Sequence, residues 1–252
     1  MVLFTVIHET MNLVADIGNS RTKVYLFAEG EIIEKRVFPA VSVALLEAMT
    51  KAHAGVRHAI LVATGKVPAG VREYLAALPG LFLQMGPATP LPVKNLYLTK
   101  ETLGYDRLAG AVEAHSRYPG HNVLVIDAGT ALTCDLVTAG GEFVGGNISP
   151  GLQMRFRALA EYTDKLPLVS PEGDLPEIGR TTEQAIRAGV IRGMTAEMDG
   201  IIESFREQWP PLQTVLTGGD AFFFDKKLKN SIFVLPDLTA YGLNRILEFN
   251  VQ

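Results

Sequence analysis

Three short apolar stretches open the readable pattern: Asn12 to Ala15, Arg21 to Phe27 and Ile32 to Phe38. Gly18-Asn19-Ser20 and Glu29-Gly30 separate them, and runs of this length between turn-forming residues predict three consecutive strands. Val41 to Ala54 then carries Val41, Leu45, Ala48 and Met49 at helical spacing. A short buried strand at Ala59 to Val62 and a helix at Val71 to Leu78 follow, before Pro87, Pro90 and Pro92 break the pattern. Arg107 to Arg117 reads as a helix bridging two halves. After it the opening pattern returns, with strands at Val123 to Asp127, Ala131 to Val137 and Glu142 to Ile148, and Gly140-Gly141 as a hairpin turn. Helices at Leu152 to Tyr162 and Thr182 to Gln208 and strands at Thr214 to Leu216 and Ile232 to Leu235 complete it. Lys226 to Lys229 reads as a solvated helix face. Three strands followed by alternating helices and strands, twice over, predict an α/β fold with a mixed sheet in each half. The division expected is 1–115 and 116–252, with Met1 to Thr10 as an extension the fold does not need.

Each half also carries an aspartate and a glycine where its first strand ends: Asp16-Ile17-Gly18-Asn19-Ser20 and Asp127-Ala128-Gly129-Thr130. Glycine permits a sharp turn and close approach of backbone to a ligand. Consecutive N–H groups in such a turn can face a phosphate, and the neighbouring aspartate can hold Mg²⁺ through oxygen and water. One copy is ordinary hairpin chemistry. Two copies at the heads of similar strand patterns predict a duplicated fold holding a nucleotide.

At 252 residues, 48% apolar and 20% charged, the chain reads as a globular protein with a real core. A net charge of −4 argues against a general nucleic-acid surface. The single cysteine, Cys134, excludes an intramolecular disulfide and lies in an apolar strand pattern, which predicts buried packing. Met1 to Val14 lacks a basic leader and makes a poor signal peptide. No stretch reaches the roughly 18 to 20 apolar residues of a membrane span. A cytoplasmic protein, with no nucleic-acid or membrane partner, is the expectation.

The order of motifs narrows the function. DIGNSRTK (Asp16 to Lys23), GYDR (Gly104 to Arg107), DAGTALT (Asp127 to Thr133), GGNISPG (Gly145 to Gly151), GRTT (Gly179 to Thr182) with Ala185-Ile186, and LTGGD (Leu216 to Asp220) occur in sequence. This arrangement resembles the superfamily of actin, sugar kinases and heat-shock-chaperone ATPases, whose two ribonuclease H-like domains clasp ATP. More specifically it resembles the type III pantothenate kinases. The resemblance implies transfer of the γ-phosphoryl group of ATP to pantothenate, the first step of coenzyme A synthesis. It also implies Mg²⁺, a monovalent cation (K⁺ or NH₄⁺) and a homodimer that completes the substrate pocket across subunits. Another small-molecule or sugar kinase of the superfamily, or a non-catalytic regulatory homologue, is the alternative; the presence of Asp16, Asp106 and Asp127 counts against the last.

Residue by residue, the resemblance places Asp16, Ile17, Gly18, Asn19, Ser20, Arg21, Thr22 and Lys23 in a first phosphate loop. Gly18 and the N–H groups of Asn19 and Ser20 would face the phosphates, and Asp16 would bind Mg²⁺ through water. Asp127 matches a ligand of the monovalent cation and Thr130 an ATP contact. Asp106 is the candidate general base, since an ionised carboxylate can take the proton of an attacking hydroxyl. Arg107 would hold substrate or screen growing charge. Tyr97, Gly104, Tyr105 and Thr182 match substrate positions, and Thr181 or Thr182 suits a helix N-cap with Gln184 as its partner. G-x-x-x-x-G-K-[ST] is absent, which argues against the P-loop type of nucleotide kinase. Two departures from the family pattern stand out: Ser20 where threonine is frequent, and Tyr105 where a smaller residue is usual.

Overall fold

The computed structural model describes residues 10–18 and 21–252. All of the expected amino-terminal extension except Thr10 therefore lies outside the described residues, as do Asn19 and Ser20.

The chain forms two compact units. The first holds the described residues up to Lys94, then Leu98–Glu113 and Thr239–Gln252. Its sheet begins with β1 (Met11–Ile17), β2 (Thr22–Ala28) and β3 (Glu31–Phe38), an antiparallel meander. β4 (Val56–Ala63) lies parallel on the other side of β1, and β5 (Phe82–Gln84) parallel beside β4, giving the order β3-β2-β1-β4-β5. Because successive strand residues face opposite sides, the run from Leu13 to Ala15 serves two cores. Leu13 and Ala15 join Val24, Leu26 and Leu61 under α1 (Val43–Ala52) and α2 (Val71–Ala76), contributing Leu46, Met49, Val71 and Leu75. Val14, Tyr25, Ile60 and Val62 face α3 (Tyr105–Arg117) and α7 (Leu238–Val251), through Ala109, Val112, Leu243 and Leu247. Ser42 caps α1, its Oγ accepting from the Leu45 N–H at 3.4 Å.

The second unit, Asn95–Tyr97 and Ala114–Leu238, repeats the plan. β7 (Asn122–Ala128), β8 (Ala131–Val137) and β9 (Glu142–Pro150) form the meander, and β10 (Leu212–Thr217) and β11 (Phe233–Val234) add in parallel beyond β7. The order β11-β10-β7-β8-β9 continues into a short β6 (Lys94–Asn95) beside β9. Leu124, Ile126, Leu132, Cys134 and Leu216 pack under α4 (Leu152–Glu161) and α5 (Thr182–Gln208), meeting Phe156, Ile191, Met194 and Met198. Cys134 is buried, as its strand pattern predicted. No helix among the described residues is long and apolar enough to cross a membrane.

The two units are not consecutive halves of the chain. A single cut after residue 115 leaves out the return of the carboxy-terminal helix to the first unit. Leu243 and Leu247 of α7 are fully buried there, and Asn244 Oδ1 accepts from Asn12 Nδ2 at 2.8 Å. Arg245 Nε meets the buried Glu113 carboxylate of α3 at 2.9 Å. Lys226 to Lys229 is also not a helix face. α6 (Ala221–Phe224) ends before it, and the buried Asp199 carboxylate accepts the backbone N–H groups of Lys229 and Asn230.

Gly242 and Gly200 predict opposite outcomes for the same substitution. A Cβ at Gly242 would collide with the Ala109 carbonyl of α3, whereas one at Gly200 meets nothing within 4 Å. Gly200→Ala is expected to stabilise by about 0.5–1 kcal/mol, through helix propensity. Gly242→Ala is expected to destabilise by about 1–3 kcal/mol despite the same propensity gain. Urea unfolding of both variants checks this; a stabilised Gly242→Ala would show that α3 and α7 are not packed this closely.

Candidate functional site

Asp16 sits one residue from the end of β1, the central strand of the first sheet, between β2 and β4. Across the antiparallel pair it faces Lys23, and across the parallel pair Val62. Burial at the sheet end pushes its carboxyl up to about 6. The Lys23 ammonium opposes that rise, and the negative charge of Asp106 adds to it. Two candidate carboxylates thus share one electrostatic neighbourhood although they are far apart in sequence. The backbone nearby is closely used. The Gly18 N–H donates to the Arg21 carbonyl at 3.0 Å, and the Ile17 carbonyl accepts from Thr64 and Gly65. The Ile17 side chain is in the core and Thr22 is buried, while Arg21 is exposed.

Asp106 lies in the first turn of α3, which starts two residues before the expected Arg107. Its Oδ1 accepts from the Arg107 N–H at 2.9 Å, and the Arg107 N–H also reaches the Gly104 carbonyl at 3.2 Å. A Cβ at position 104 would collide with Asp106 Oδ1, so any side chain there would force the carboxylate to turn away. The glycine lets the carboxylate fold back over the helix start. Arg107 is buried, and the Tyr105 ring packs against the core cluster that includes Val14 and Ala109. Burial, with Glu101 nearby, holds the Tyr105 hydroxyl above its usual range.

In the second unit Asp127 takes the equivalent place, near the end of the central strand β7. It faces Thr133 on β8 and Thr217 on β10. Its Oδ1 lies 3.0 Å from where a Gly129 Cβ would stand and would collide with one at Gly218, whose φ is +97°. Gly151, at the start of α4, meets the carbonyls of Gly129 and Thr130 in the same way. Three glycines therefore let backbone close around Asp127 and Thr130, which explains Gly151 of GGNISPG and Gly218 of LTGGD. Sequence reasoning gave no role to Asp220. Its N–H donates to the Ala128 carbonyl at 2.9 Å, and burial raises its carboxyl. The signal was an acid directly after Gly218-Gly219, beside the second turn.

Two further candidates belong to this unit. Thr182 is the exposed first residue of α5, and Thr181 is the N-cap, its Oγ1 accepting from the Gln184 N–H at 3.2 Å. Gln184 Oε1 reaches back to the Arg180 N–H at 3.1 Å. Tyr97 is half-buried, with its ring against Gly145 and 6.2 Å from that of Phe143. Among the described residues no three His, Cys, Asp or Glu side chains form a dedicated metal cage. A partly hydrated ion held by one or two carboxylates fits this donor set better, which is the habit of Mg²⁺ with phosphate ligands.

The family model for type III pantothenate kinase matches residues 12–204. The chain belongs to this family. A type III pantothenate kinase from Phocaeicola vulgatus is 48% identical over 241 residues, covering 95% of this chain and 99% of that one. Among solved structures, a conserved Baf-family protein from Campylobacter jejuni superposes with a TM-score of 0.63 at 18% identity, covering 94% and 98% of the two chains. A glucokinase from an Antarctic psychrotroph gives 0.53 at 12% identity, covering 95% and 99%. At these identities the structures speak for the fold alone: the duplicated, actin-like sugar-kinase architecture.

The raised carboxyl of Asp16 has a consequence for stability. Unfolded, it titrates near the ordinary value of about 3.9. The folded state binds this proton more tightly, so its contribution to stability falls as pH rises from about 4 to about 6. The full cost, on the order of 2–3 kcal/mol, is present above that window. Asp16→Asn is therefore expected to be more stable than wild type at pH 7 without nucleotide, with the gain vanishing near pH 4. Thermal unfolding across this range checks it, and equal stability at pH 7 would contradict the burial of an ionised Asp16.

Proposed function

We propose that this protein transfers the γ-phosphoryl group of ATP to the primary hydroxyl of pantothenate, with Asp106 as general base. Family membership carries the reaction. The observation that carries the assignment of the base is the carboxylate folded over Gly104 at the start of α3, within electrostatic reach of Asp16. The pantothenate hydroxyl oxygen attacks the γ-phosphorus as its proton passes to an Asp106 oxygen. The bond from phosphorus to the bridging oxygen breaks and ADP leaves. Arg107, buried beside the base, would hold the substrate or offset charge on the transferring group. The backbone of Gly18, Asn19 and Ser20 and the Thr130 side chain would contact the phosphates, with Tyr97 and Thr182 on pantothenate.

Asp16 would hold Mg²⁺ through water; when bound, the ion neutralises charge on the phosphates. Asp127 would take a monovalent cation. The contrast in register supports that division: Lys23 stands across the strand pair from Asp16, whereas the neutral Thr133 stands across from Asp127. A homodimer is part of the same reading, consistent with the exposed Leu98, Ile148 and Ile178 of this chain; a protein that sediments as an active monomer would remove it.

Assay of ATP consumption with pantothenate against a panel of sugars and polyols tests the acceptor, and turnover with a sugar alone would overturn it. Asparagine keeps the size of Asp106 but cannot take up a proton. Asp106→Asn is thus expected to slow single turnover by about 10²- to 10⁴-fold while leaving ATP affinity nearly unchanged. Near wild-type turnover would exclude Asp106 as the base. Asp127→Ala is expected to abolish the response of activity to added potassium, and an unchanged potassium titration would place the cation elsewhere.

A further inference from the structure

Gly145 is neither at a hairpin tip nor at a helix end, yet its φ is +119°, a conformation that residues with side chains rarely adopt. It lies within β9, opposite Leu136 of β8, where the pairing register shifts. What borders the space of its missing side chain is the Tyr97 ring. A Cβ at Gly145 would stand 3.1 Å from Tyr97 Cδ2 and 3.3 Å from Cε2. The segment carrying Tyr97 is fastened at two further points. The Leu96 N–H donates to the Phe143 carbonyl at 2.9 Å, and the Tyr97 N–H donates to Asn95 Oδ1 at 2.9 Å. The Phe143 ring, itself fully buried, lies 6.2 Å from the Tyr97 ring. Backbone, ring and glycine fix where the Tyr97 side chain stands.

We propose that Gly145 is a positioning residue for pantothenate: its bare Cα seats the Tyr97 ring and so sets the depth of the subsite that Tyr97 lines. The inference rests on Tyr97 touching pantothenate, as argued above. The neighbouring glycine has a different task. A Cβ at Gly146 would collide with the Cys134 carbonyl, so Gly146 serves the approach of β9 to β8 and not the tyrosine.

A double-mutant cycle separates the two ideas. Tyr97→Ala should raise the KM for pantothenate, and Gly145→Ala should do the same by about tenfold, with kcat and the KM for ATP within about twofold of wild type. The double variant should be no worse than Tyr97→Ala alone, because Gly145 acts through the ring. An unchanged pantothenate KM in Gly145→Ala, or effects that multiply in the double variant, would overturn the seat. An unchanged KM in Tyr97→Ala would instead overturn the tyrosine contact on which it rests. Should Gly145→Ala alone fail to fold, the double variant still decides. Soluble protein with the KM of Tyr97→Ala supports the seat, since removing the ring opens the space. A double variant as insoluble as the single one makes backbone strain the cause and overturns it.

Discussion

A carboxylate held near the carboxyl end of the central strand, where backbone crowds it, is the constraint on which the rest of this structure depends. It occurs twice, as Asp16 and Asp127. Placing a negative charge there costs solvation, as the raised carboxyl of Asp16 records. Placing it among loops also demands space, and the structure finds it by omitting side chains. Gly129 and Gly218 clear the way for the Asp127 carboxylate, and Gly104 does so for Asp106. The glycine-rich motifs are therefore packing requirements around charged groups before they are ligand contacts. A methyl group at any of these positions would move a carboxylate.

Topology supplies the rest of the arrangement. In each unit a meander is followed by strands added in parallel on the far side of its first strand. The central strand is thereby paired antiparallel on one side and parallel on the other. The loops that leave β1 and β4, and those that leave β7 and β10, gather at the carboxyl ends of parallel neighbours. Open α/β sheets bind ligands at that edge, where loops are free of the sheet's own hydrogen bonding. Asp16 pairs with Val62 next to the β4 exit, and Asp127 pairs with Thr217 next to Gly218. The repeated plan puts chemically similar residues at equivalent edges without requiring similar sequences elsewhere.

Most of this was legible where local pattern and tertiary demand agree. The six meander strands and the start of α5 follow from short apolar runs, turn residues and a Thr-Gln cap. α7 was not read, and its composition explains why. Gly242, Asn244 and Asn250 interrupt a helical pattern with residues that ordinarily stop helices, yet each is used in packing or pairing. Gly242 admits the Ala109 carbonyl, Asn244 bonds Asn12, and Asn250 reaches the Pro90 carbonyl. Their partners lie far back along the chain, beyond any local window. The lysine run at 226–229 misled for the converse reason. Its charge spacing suits a helix, but α6 ends at Phe224, and Asp199, buried on α5, captures the backbone N–H groups of Lys229 and Asn230. Of the candidate site, the aspartates were legible from their glycine neighbours. The proximity of Asp16 to Asp106 was not, because α3 meets the end of β1 only through the fold.

The two strand-end carboxylates share a position but not a neighbour, and that difference has chemical meaning. Residues directly opposite in an antiparallel pair project to the same face. Lys23 therefore shares the face of Asp16, and its charge opposes the rise in the Asp16 carboxyl. The threonine opposite Asp127 brings a hydroxyl, which offers hydrogen bonding but no charge. A lysine there would neutralise Asp127 permanently and would have to be ordered with it. Duplication supplied the same carboxylate to both sheets, and the strand residue across from each, a lysine in one and a threonine in the other, gives the two a different electrostatic neighbour.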